Sequence, residues 1–355
     1  MDWHEAIKKW GQQQRLLNQA KIEEENNNLE AAFELYQQAA DLGSGDAMVA
    51  IGNLYAVNNF RMKEKQIENQ IELRSPVDFK VDSSSCLRCG ACVRDCAFKV
   101  LSFDRTGLPS MPHPEKCMRC QHCFAVCPVG AITFDGVKST DVAAVKDLEL
   151  PNADQIANWI RSRRSIRKFA AEDVDPVVLD NVLKLLANSP TGCNARALTF
   201  TCYPNRVAVN DFRAAFLEAI EEHRDGSKLL PRWLAVPAIK LRKGGEDIFF
   251  RGASGILIVS SDETAPGVTT PQEDVTIACS NFELLANANG ISTCWCGFLK
   301  LVQNEIPELL EKVVGIRQTT PFYAILFGKK AVKYMRCVER GAYASIIYKN
   351  CQCES

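Results

Sequence analysis

The chain has 355 residues, 46% of them hydrophobic and 24% charged, which suits two or three folded domains and excludes disordered or collagen-like structure. Lys+Arg 42 against Asp+Glu 43 leaves a net charge of -1, so no nucleic-acid or membrane partner is expected on electrostatic grounds. The 16 cysteines are too many for incidental packing in a chain too long for a disulfide mini-scaffold, so disulfides or metal must account for them.

Residues 1–10 carry scattered charges and no apolar signal-peptide core. No stretch reaches the roughly 18 apolar residues of a spanning helix. The expectation is a cytoplasmic protein whose thiols bind metal. Residues 1–75 read as helical, rich in Gln, Asn, Glu and Ala. Ala32, Leu35, Tyr36, Ala39 and Ala40 recur at helical spacing, and residues 29–55 read as two short helices split at Gly43 to Gly45. Tyr36, Ala39, Ala40, Leu42, Gly43, Ala47, Leu54 and Tyr55 resemble one unit of the Sel1-like, TPR-related repeats. A single unit cannot close a core, so this segment is expected to pack on the rest of the protein or on a partner, or to be a plain appendage.

Residues 76–140 are dense in cysteine. Cys86-x2-Cys89-x2-Cys92-x3-Cys96 is repeated as Cys117-x2-Cys120-x2-Cys123-x3-Cys127-Pro128. Two intervening residues let three thiolates converge on one cubane, and the fourth thiol of each run reaches the other cluster. Cluster one then takes Cys86, Cys89, Cys92 and Cys127, and cluster two takes Cys117, Cys120, Cys123 and Cys96. The segment is similar to bacterial two-[4Fe–4S] ferredoxins, with Ala97 in place of a usual Pro. Structural zinc is the competing reading, but zinc sites use pairs of thiols rather than three at equal spacing plus a fourth. His122 reads as a residue that tunes cluster potential by hydrogen bonding or charge.

A linker at 141–152 leads to residues 153–355. There Asp175-Pro176 opens an amphipathic helix carrying Val178, Leu179, Val182, Leu183 and Leu186. Residues 198–203, 255–260 and 322–327 are apolar runs that suit strands covered on both faces. A further helix over 275–289 stops at Gly290. Arg163, Arg164, Ser165 and Arg167 offer forked cations and a hydroxyl to a phosphate with an adjoining ring. Ser189 to Asn194 forms a loop in which Gly192 permits close approach and Asn194 offers an amide. Lys329, Lys330, Lys333, Arg336 and Arg340 make a closing basic run.

In this order the segments resemble the FMN-dependent nitroreductase superfamily, through R-R-S-x-R-x-F, the P-[ST]-[SG]-x-N-like loop and the final basic run. The resemblance implies an α+β fold with a nitroreductase-like α/β sandwich in an intertwined homodimer, preceded by the ferredoxin-like domain and a helical hairpin. It also implies that Arg163, Arg164, Ser165 and Arg167 hold the FMN phosphate, ribityl and N1/O2 edge, with Arg336 and Arg340 on the phosphate. Pro190, Thr191, Gly192 and Asn194 then come from the second subunit, and main-chain amides near Cys296 and Gly297 edge the flavin ring. At Arg196-Ala197-Leu198 the chain departs from the Gln-Pro-Trp of many relatives.

The expected activity is electron transfer between two [4Fe–4S] clusters and FMN, reducing a small electron-poor acceptor with reduced ferredoxin or NAD(P)H as donor. The alternative is an electron-transfer or redox-sensing module docking a partner through the N-terminal helices. Residues 225–251, with Trp233, Phe249 and Phe250, read either as a lid over the flavin or as aromatics packed into the structure. Cys294-x-Cys296 and Cys351-x-Cys353 are either ordinary thiols or a joint metal site.

Overall fold

The computed structural model describes residues 3–26, 28–42, 76–225 and 230–338. The chain divides into two units, Met1–Pro76 and Val77–Ser355. In the first, helices α1 (Trp3–Glu25) and α2 (Leu29–Asp41) pack on each other. Ala20, Ala32 and Ala39 are buried in the seam, and small side chains there let the helices approach closely. The Tyr36 hydroxyl closes it by donating to Glu24 at 2.8 Å. The repeat-like second helix expected after Gly43, with Ala47, Leu54 and Tyr55, lies outside the described residues.

The second unit begins with the cysteine-rich segment. Strands β1 (Phe79–Val81), β2 (Ser102–Phe103), β3 (Pro109–Ser110) and β4 (Ile132–Phe134) form two antiparallel pairs, β1 with β4 and β2 with β3. Helices α3 (Ala91–Asp95) and α4 (His122–Ala125) follow the two cysteine turns. The core is thin, with Val77, Leu101, Ile132 and Phe134 the buried side chains beside cysteines. So small a core leaves much of the stability to whatever the thiols bind.

After the exposed linker, helix α5 (Ala153–Ser162) opens on a reciprocal cap. Asn152 accepts from the Gln155 amide at 2.9 Å, and the Gln155 side chain accepts from Asn152 N at 2.8 Å. Helix α6 (Pro176–Leu185) starts as the sequence predicts, with Asp175 accepting from Val177 N at 2.8 Å. Strands β5 (Leu198–Tyr203), β6 (Gly255–Ser261), β7 (Ser292–Trp295) and β8 (Phe322–Gly328) make one antiparallel sheet in the order β5-β6-β8-β7.

Alternation along β6 and β8 sends side chains to opposite faces. Ile256, Ile258, Ala324 and Leu326 meet helices α7 (Arg206–Asp225), α8 (Arg232–Arg242), α10 (Gly297–Glu305) and α11 (Pro307–Val314). Leu257, Val259, Ile325 and Phe327 meet α6 and helix α9 (Pro271–Ala288). The sheet is therefore covered on both faces. Gly255 is required for this packing, because a Cβ there would overlap the Phe327 ring.

Helix α9 starts at Pro271 rather than 275, since Pro at the first position and Glu273 and Asp274 in the first turn favour an earlier start. Of the two readings of 225–251, the structure favours packing over a lid for the two phenylalanines. Helix α8 occupies its middle despite Pro237. Phe249 and Phe250 are only 3% and 0% exposed, stacked among Phe212, Phe216 and Phe298 in the core. Their size and the absence of any polar handle make core burial the favourable outcome.

Candidate functional site

The two cysteine turns have the same backbone. Arg88 and Arg119 adopt positive φ (53° and 55°), and each amide donates to the thiol two residues earlier, Cys86 Sγ and Cys117 Sγ, at 3.4 Å. A third such bond joins Ala131 N to Cys127 Sγ at 3.3 Å. Cys86, Cys89, Cys92 and Cys127 ring one cavity, walled by Val81 and Ile132. Burial pushes the thiols of Cys92, Cys117 and Cys123 up, the last to about 12. Neighbouring thiols add to this: Cys127 and Cys86 act on Cys92, and Cys120 and Cys96 act on Cys117. The structure thus places Cys127 with the first run and Cys96 with the second. No three His, Cys, Asp or Glu side chains among the described residues gather tightly enough for a single ion. The thiols surround a space instead, and cationic iron in that space would favour the thiolates that burial opposes. His122 Nδ1 lies 3.5 Å from Asp95 Oδ2, beside Cys96.

A second cavity, of about 250 Å³, is lined by Trp159, Arg163, Arg164, Asn287, Lys330 and Arg336 among others. Backbone pairing assembles it from distant segments. Ala170 N donates to Lys329 O at 2.7 Å and Ala331 N to Lys168 O at 3.0 Å, joining the early arginine run to the closing basic run. Ile166 N donates to Thr293 O at 2.9 Å, fixing the arginine run to β7. Arg163 Nη1 reaches Glu283 Oε1 at 3.4 Å, and that carboxylate, 8% exposed, also accepts from Thr293 Oγ1 at 3.1 Å. Arg164 Nη1 donates to the carbonyls of Arg161 and Arg163 at 2.8 and 2.6 Å. Its Nη2 is buried with no hydrogen-bond partner. A buried guanidinium nitrogen left unpaired among further cations is the donor set of an anion site.

Ser165 is half-buried outside this lining, and Arg167 is exposed, near enough to Cys294 for its charge to oppose the upward push of burial on that thiol. Arg340 lies outside the described residues. Cys296 commits its amide to the Ala324 carbonyl at 2.8 Å as the sheet continues past β7, so it is not free to edge a flavin ring. Gly297, the first residue of α10, keeps an amide with no intrahelical acceptor.

The Ser189 to Arg196 loop is strained and tied down. Cys193, Asn194 and Arg196 have φ of 49°, 50° and 54°. Gly192 N donates to Asp274 Oδ1 at 2.9 Å, and Thr270 Oγ1 donates to the same oxygen at 3.0 Å. A Cβ on Gly192 would overlap the hydroxyls of Thr269 and Thr270. Asn281 donates to Ser189 Oγ at 2.9 Å. Asn194 Nδ2 donates to the carbonyls of Met118 and Arg119 at 2.9 and 3.0 Å, within the second cysteine turn. The loop therefore joins the N-terminal end of α9 to the cysteine-rich segment, whereas the cationic cavity takes in Asn287 at the far end of that helix. At 1.5 Å per residue, Asp274 and Asn287 stand about 20 Å apart. Within one chain, Pro190, Thr191, Gly192 and Asn194 do not meet Arg163, Arg164 and Arg336.

Glu283 and Asp274 are positioned at these sites without being singled out by sequence. A carboxylate on the apolar face of α9 was the available signal for Glu283. Among the described residues no helix is long and apolar enough to cross a membrane.

Residues 160–329 match the model of the Nitroreductase family, and residues 85–131 match that of the 4Fe-4S dicluster domain. A nitroreductase with bound FMN from Bacteroides fragilis NCTC 9343 is 21% identical, with a TM-score of 0.42, over 56% of this chain and 100% of that one. The FMN-dependent nitroreductase NfnB from Mycobacterium smegmatis, in complex with NADPH, is 18% identical with a TM-score of 0.37, over 51% of this chain and 90% of its own. No curated protein matches the chain. The chain is an iron–sulfur oxidoreductase that carries a 4Fe-4S dicluster domain over residues 85–131 and a Nitroreductase family domain over residues 160–329.

Proposed function

We propose that the protein is a homodimeric, cytoplasmic iron–sulfur flavoprotein that takes electrons from reduced ferredoxin or NAD(P)H and reduces a small electron-poor acceptor, such as a nitroaromatic, quinone, activated alkene or flavin. The observation that carries this reading is the cationic cavity in which Arg163, Arg164, Lys330 and Arg336 converge with one guanidinium nitrogen left unpaired. That donor set fits the phosphate end of FMN, with Arg340 as a further cation. FMN, when bound, supplies conversion between the single electrons of clusters and the hydride given to an acceptor.

The chain's own residues supply the rest. Glu283 holds Arg163 at the cavity wall, and Ser165 and Arg167 follow on toward β7. The Gly297 amide offers a donor to the ring edge. Pro190, Thr191 and Gly192 face the flavin of the partner subunit: none of them lines the phosphate cavity of their own chain, and Asp274, which holds Gly192, stands about 20 Å along α9 from Asn287 at that cavity. Asp274 fixes their loop through the Gly192 amide. Cys86, Cys89, Cys92 and Cys127 hold one cluster and Cys117, Cys120, Cys123 and Cys96 the other.

Anaerobic titration of the purified protein with NADH, NADPH and reduced ferredoxin tests this, with flavin and cluster absorbance followed separately and turnover measured on a nitroaromatic and a quinone. Bound FMN, two clusters per chain and steady turnover are the expected result. Bleaching of flavin by NAD(P)H ahead of the clusters would overturn the cluster-to-flavin direction. Absence of turnover together with tight binding of a protein through residues 1–75 would favour the docking-module reading instead.

A further inference from the structure

The duplicated cysteine turns provide an internal comparison. Their backbones are alike in the positive φ of Arg88 and Arg119 and in the 3.4 Å amide-to-thiol bonds. Their surroundings differ. Leu87, inside the first turn, is 64% exposed, while Met118, at the same place in the second, is 2% exposed. The second turn also gives two backbone carbonyls, those of Met118 and Arg119, to the side-chain amide of Asn194. Asn194 belongs to the loop that Asp274 pins to helix α9. The first turn keeps its polar contacts within the cysteine segment, as where Arg94 donates to Cys89 O at 2.9 Å.

We infer that Asn194 is a positioning residue that seats the turn of cluster two on the flavin-binding domain, so that cluster one receives electrons at the solvent face and cluster two passes them to the flavin. This rests on the reading given under the proposed function. Two electrons leave a one-electron donor singly, pass from cluster one to cluster two, and reach the flavin in two successive steps, after which both clusters are again oxidised. Transfer falls off steeply as the gap between centres opens, and the two Asn194 hydrogen bonds hold that gap closed on the flavin side. An amide suits the task because two N–H groups face two carbonyls. An aspartate there would oppose acceptor to acceptor.

The test uses the full-length holoprotein and two variants chosen for the positive φ of residue 194, which Gly and Asp tolerate. Asn194→Gly removes the amide, and Asn194→Asp keeps its shape while reversing its hydrogen bonding. Rapid anaerobic mixing with dithionite follows cluster and flavin bleaching at separate wavelengths. Hydrogen exchange is read on the amides of residues 86–90 and 117–121.

With iron and FMN contents as in the wild type, cluster bleaching keeps its rate in both variants. Flavin bleaching slows about tenfold in Asn194→Gly, the scale set by losing two hydrogen bonds, and further in Asn194→Asp. Exchange rises in 117–121 and not in 86–90. Unchanged flavin bleaching in both variants would overturn the inference, as would equal exchange in the two turns, or loss of FMN in place of slowed transfer. A wild-type protein without FMN, or whose flavin is reduced independently of the clusters, would instead sink the proposed function. The exchange contrast between the turns would still report on Asn194.

Discussion

Of the cysteines outside the cluster runs, Cys202, Cys279 and Cys296 pack against the sheet core, and burial pushes their thiols up to about 11, 12 and 12. The thiolate is the reactive form. At pH 8 these three are expected to resist a maleimide while the exposed Cys337 reacts, as peptide mapping would show. The same shifts give a sign for stability. A thiol whose native pKa lies above the unfolded value stabilises the fold fully below about pH 9 and ceases to do so as the pH rises through 11 and 12. Urea midpoints should therefore fall across that window and stay flat beneath it. None of the fourteen described cysteines is in a disulfide; Cys294 and Cys296 are buried, and Cys351 and Cys353, the other half of the joint metal site considered above, lie outside the described residues. At this scale the cluster thiols were legible because ligand spacing is local in sequence. Glu283 and Asp274 were not, since an acidic residue on a helix declares its partner only when Arg163 or Gly192 arrives from a distant segment.

Elements were read best where local chemistry decides them. Strands β5, β6 and β8 are short apolar β-rich runs, and they fall where periodicity puts them, as does α6 behind its Asp175-Pro176 start. Strand β7 escaped because Ser292 to Trp295 gains strand character from pairing with Ile325 to Gly328, a contact that no local pattern announces. For residues 225–251 the sequence left lid and packing open, because Pro and Gly punctuation signals irregular backbone but says nothing of burial. Phe250, which packs edge-on to Phe212, Phe216 and Phe298, is a core residue. Phe250→Ala is expected to lower unfolding free energy by about 3–5 kcal/mol, measured by denaturant titration. A variant that kept its stability while raising KM for the acceptor would return these rings to a lid.

For the molecule as a whole, helix α9 acts as a ruler. Its first turn holds the loop that carries Asn194, and its last turns border the cationic cavity. In the proposed dimer, a cluster seated on that loop lies beside the flavin held by the opposite chain. Each subunit then wires its clusters to its neighbour's flavin, and neither chain is electrically complete alone. A mixed dimer makes this measurable. One chain carries Cys117→Ser and an intact cavity, and the other carries intact clusters with Arg163→Ala and Arg336→Ala. Such a dimer, purified through two tags, should reduce its single flavin through clusters although neither parent homodimer does. A silent mixed dimer would mean that each chain serves its own flavin. If the wiring crosses, dissociation by dilution breaks the circuit even where every cofactor stays bound, and the concentration of the protein itself becomes a switch on its redox activity.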